Sequence, residues 1–132
     1  MGKRILGQSL TQTAIPSIAP VGAVGLDMTL FLEASRPRWW LITVEVTTAP
    51  SDLFVWGARP MGTPDDPSDD IWGLHQDEYA TFPLGKIGAA LPIGTYHFIT
   101  DGLGLYSRIY FQKSAGAVTV IMSEILDAER GN

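Results

Sequence analysis

The chain has 132 residues, 45% hydrophobic and only 17% charged, with no cysteine and a formal net charge of −5. That length argues for one domain with a single core, and the missing cysteines exclude disulfide scaffolds, cysteine-ligated zinc and thiol nucleophiles. The acidic balance, with no basic run, argues against nucleic-acid binding, which needs cations to displace the counterions of phosphates. Charge below the ~25% usual in globular chains leaves an apolar surface of the kind that assembly hides.

Residues 1–26 hold no acidic side chain and are punctuated by Ile15-Pro16, Ala19-Pro20, Gly22 and Gly25. Ile15, Ile18, Val21 and Val24 follow no sustained period, so the expectation is an extended N-terminal arm. About 20 residues at ~3.3 Å each reach ~65 Å, far enough to lie on a neighbouring molecule. Gln8, Ser9, Thr11, Gln12 and Thr13 interrupt the apolar run a signal peptide needs. No run approaches the ~18–20 residues of a membrane span, so a soluble protein is expected, with no membrane partner.

From Asp27 the pattern becomes that of strands. Met28 to Ala34 alternates with a period of two before Ser35-Arg36-Pro37. In Trp39 to Thr47, Trp40, Ile42, Val44 and Val46 face one way and Trp39, Leu41, Thr43 and Glu45 the other, so the first set predicts a core face. Pro50-Ser51-Asp52 turns the chain into a short strand over Leu53–Trp56. Residues 57–78 predict a long loop carrying Asp65, Asp66, Asp69, Asp70, Asp77 and Glu78. These six contribute −6 to the net −5, so the other charged groups sum to +1.

Tyr79–Leu84 predicts a further strand and Gly85 to Gly94 a connection. Then Tyr96–Thr100, Leu105–Lys113 and Ala117–Ile125 follow, joined by Asp101-Gly102 and Ser114-Ala115-Gly116, which predicts an antiparallel meander with a tight hairpin at Asp101-Gly102. About seven strands without a helical stripe predict an all-β fold, an antiparallel, jelly-roll-like β-sandwich over 27–132 with the arm before it.

Catalytic signatures are missing. Gly102-Leu103-Gly104 has Ser107 where a dinucleotide-binding motif needs its third glycine, and Gly85-Lys86 lacks the spacing and hydroxyl of a phosphate loop. His75 reads as a solvated loop histidine and His97 as a strand residue. The aspartates around Pro67 offer oxygen ligands of the kind calcium takes, but not at calcium-loop spacing, so a solvated acidic loop is the expectation. No enzyme, metal or cofactor is expected.

The informative residues are those on the second face of apolar strands. Trp39 and Leu41 oppose Trp40 and Ile42, while Tyr106, Arg108 and Tyr110 oppose Ile109 and Phe111. Only one face of each strand lines the interior. The other needs a cover: a partner, the long loop, or the arm folding back. Because Tyr, Trp and Arg dominate binding hot spots, Trp39, Leu41, Tyr106, Arg108 and Tyr110, with Ile15, Ile18, Val21 and Val24 of the arm, are the candidate interface. The alternative is a carbohydrate-binding sandwich whose Trp39, Tyr106 or Tyr110 stacks on sugar rings.

In its layout, an arm before Asp27 and the Gly94–Ile125 passage with Leu105-Tyr106-Ser107-Arg108-Ile109-Tyr110-Phe111, the chain resembles the small decoration or cement proteins on tailed-bacteriophage heads. The resemblance implies a virion protein without catalysis, made in the host cytoplasm. It implies binding between major capsid subunits as a dimer or trimer, reinforcing the shell.

Overall fold

A computed structural model describes residues 4–20, 26–27, 39–59, 70–76 and 86–127. They form strands β1 (Arg4–Gln12), β2 (Leu26–Asp27), β3 (Trp39–Thr48), β4 (Ser51–Arg59), β5 (Ile71–Leu74), β6 (Lys86–Leu91), β7 (Gly94–Asp101), β8 (Arg108–Lys113) and β9 (Ala117–Asp127). A 3₁₀ turn spans Leu103–Leu105. Sheet A has the order β1-β9-β3-β7 and sheet B the order β2-β8-β4-β5, with β6 also paired to β4. Every pairing among the described residues is antiparallel. The fold is an antiparallel β-sandwich, as the strand pattern predicts. Among the described residues no helix is long and apolar enough to cross a membrane.

The core forms where the alternation predicts it. Trp40, Ile42, Val44 and Val46 of β3 are buried, together with Val118, Val120 and Met122 of β9 from the same sheet. Facing them from sheet B are Leu53 and Val55 of β4 and Ile109 and Phe111 of β8. Each such side chain stabilises the fold by about 1.5–3 kcal/mol relative to exposure. The β-branched and aromatic members suit a pleated, closely packed surface.

The connections differ from a meander. β7 lies in sheet A, β8 in sheet B and β9 again in sheet A, so the chain crosses the core at both turns instead of forming hairpins. At the first crossing Gly102 takes φ +78° and the 3₁₀ turn places Leu103 fully inside the core. Burial of that leucine draws the chain across, whereas a two-residue hairpin would leave it wet. At the second, Gly116 takes φ +67°, and a Cβ there would lie 1.7 Å from the Thr48 carbonyl oxygen.

Other expectations are also revised. Of the arm foreseen over 1–26, residues 4–12 are β1, paired along β9 of the same chain, and Ile15 is buried in the core. A register shift between Leu6 and Ser9 breaks the alternation, which is why no period is visible there. Two segments foreseen as irregular contain strands. β4 runs on to Arg59 and β5 occupies Ile71–Leu74, both inside the foreseen loop 57–78, and β6 occupies the foreseen connection. The foreseen strands 28–34 and 79–84 lie outside the described residues, as do Asp65, Asp66, Asp69, Asp77 and Glu78.

Candidate functional site

Three surfaces carry the residues singled out from sequence. The first is the outer face of sheet B, where β8 presents Arg108, Tyr110 and Gln112. Register places Arg108 beside Ala58, Tyr110 beside Trp56 and Gln112 beside Phe54, with Trp72 of β5 on the far side of Ala58. This face is closed by its own chain. Arg108 Nη1 donates to Asp70 Oδ2 at 2.9 Å, in an ion pair whose side chains are 9% and 2% exposed. The Tyr110 ring meets Trp72 edge-on at 5.9 Å, and its hydroxyl donates to the Ile18 carbonyl at 2.8 Å. Trp56 Nε1 donates to Gln112 Oε1 at 2.8 Å, Gln112 Nε2 donates to the Ser17 carbonyl, and the Lys113 amide donates to the Pro16 carbonyl.

The segment through Pro16, Ser17 and Ile18 therefore lies along β8 and covers what a partner was foreseen to cover. Arg108 and Tyr110 are buried within one chain, and so is Ile15, so these three are withdrawn from the foreseen interface. Desolvation pushes the Tyr110 phenol above its ordinary pKa. Ile18 keeps an exposed side chain, while Val21 and Val24 lie outside the described residues.

The second surface is one end of the sandwich. His75 follows β5, its amide held by the Val55 carbonyl at 2.7 Å. Its ring is 4% exposed rather than solvated, with Nδ1 2.8 Å from the Tyr106 hydroxyl and Nε2 3.1 Å from Thr100 Oγ1. Thr100 belongs to sheet A and His75 leaves sheet B, so the imidazole bridges the two layers. Tyr106 lies in the connection before β8 and not in the strand, and its ring rests on Gly57, where a Cβ would come within 2.5 Å of it. Burial pushes the Tyr106 phenol up as well. With Thr100 1% exposed, a reagent could meet its hydroxyl only by parting the sheets. The cluster's chemistry is that of a buried polar tie.

The third surface is the outer face of sheet A. Pairing fixes its rows: Arg4 with Asp127; Leu6 with Ile125; Ser9, Ser123, Leu41 and Ile99; Thr11, Ile121, Thr43 and His97; and Thr119, Glu45 and Thr95. Trp39 stands opposite Asp101 at one end. Leu6 and Ile99 are 54% and 61% exposed, and Trp39, Leu41, Ile121 and Ile125 half-buried. Two polar pairs lie within it, Ser9 with Ser123 at 2.8 Å and Thr43 Oγ1 with His97 Nδ1 at 3.0 Å. Among the described side chains of this face, Glu45 is the one exposed formal charge, Asp101 being buried. Sequence reading named Trp39 and Leu41 here but missed Leu6, Ile99, Ile121 and Ile125. Ile99 and Ile121 were detectable as the isoleucines out of phase with Tyr96-Phe98 and Val118-Val120-Met122.

Among the described residues, then, the outer face of sheet B is partly covered by residues 16–18 of its own chain, whereas the outer face of sheet A shows apolar side chains with Glu45 as its one exposed formal charge. No family model, curated protein or solved structure matches the chain.

Proposed function

We propose that the protein is a non-catalytic structural component of a virion, a decoration protein that binds between major capsid subunits and stabilises the shell. The observation that carries this reading is the outer face of sheet A, where Leu6, Leu41, Ile99, Ile121 and Ile125 share a surface on which Glu45 is the one exposed formal charge among the described side chains. A free monomer gains nothing from such a face, whereas burial in an assembly turns it into contact area. The buried state of His75 and Thr100 supports the absence of catalysis, since a reacting pair must be reachable by substrate.

The carbohydrate-binding alternative has less support. Of its three stacking candidates, Tyr106 is committed to His75 and Gly57, and Tyr110 to Ile18 and Trp72. The test is to read the genes that flank this one and to co-express the chain with a major capsid protein found among them, followed by sedimentation of the shells. The chain should travel with the shells and raise their resistance to heating. A chain left in the supernatant, or a gene with no capsid gene near it, overturns the reading.

A further inference from the structure

We draw no further inference here: the strongest candidate, the apolar outer face of sheet A around Leu41, Ile99 and Ile121, already carries the proposed function, and nothing in the structure shows what covers it.

Discussion

His75 Nδ1 lies 2.8 Å from the hydroxyl of Tyr106, a residue 31 positions away, and Nε2 of the same ring reaches Thr100 in the other sheet. One imidazole therefore joins the exit of β5, the connection before β8 and the edge strand β7. Its neutral form serves one hydroxyl as donor and the other as acceptor, whichever tautomer is present.

Removing the hydroxyl alone by Tyr106→Phe should cost about 1–2 kcal/mol, the usual effect of deleting one partner of a buried hydrogen bond. Gly57→Ala should cost more, roughly 2–4 kcal/mol, because the new methyl displaces the whole ring and with it the contact to His75. Urea unfolding followed by tryptophan fluorescence measures both, and an alanine at 57 without effect would contradict the packing of Tyr106 on that glycine.

The ion pair of Arg108 with Asp70 is almost fully withdrawn from water. Asp70→Ala should therefore destabilise the fold by about 3–5 kcal/mol, the usual effect of removing one partner of a buried ion pair. Replacing both, Arg108→Met with Asp70→Leu, should restore most of that loss, since an apolar pair avoids the desolvation cost. The same unfolding curves read out both variants.

Gly116→Ala should be among the most damaging single changes at the surface. Its φ of +67° disfavours any L side chain, and the Thr48 carbonyl occupies the position of the methyl. A loss of about 2–3 kcal/mol is expected. Differential scanning calorimetry should show it as a lowered melting temperature with unchanged mass in solution.

Burial raises the phenol pKa of both Tyr106 and Tyr110 in the folded state. The folded chain then holds these protons more tightly than the unfolded chain, whose tyrosines titrate near ~10. Their contribution is complete below pH ~10 and falls as pH rises through the higher folded-state values. Melting temperature should drop above pH ~10, and the Tyr106→Phe/Tyr110→Phe double variant should show a shallower drop. Equal slopes in the two proteins would contradict this origin.

The sandwich was legible in sequence because β3 keeps strict alternation over ten residues, with Trp40, Ile42, Val44 and Val46 all inside. β1 was not, since the shift between Leu6 and Ser9 resets its phase. Asp101-Gly102 fits a hairpin and a sheet crossing equally well in local terms, and the choice is made by the burial of Leu103, a tertiary fact. From sequence, its own chain is one of three possible covers for Tyr110, because the carbonyl that takes its hydroxyl is 92 residues away. Trp39 and Leu41 were read on the correct strand face, while Leu6, Ile99, Ile121 and Ile125 join them only through the strand order of sheet A.

The central claim, that the outer face of sheet A is covered in the working protein, is tested most directly by thiol accessibility. The chain contains no cysteine, so Thr43→Cys, near the centre of that face, and Gln76→Cys, exposed away from it, each supply a single reporter. Maleimide labelling should slow at position 43 when capsid shells are added and stay constant at position 76. Labelling at position 43 that is as fast with shells as without them would contradict the account.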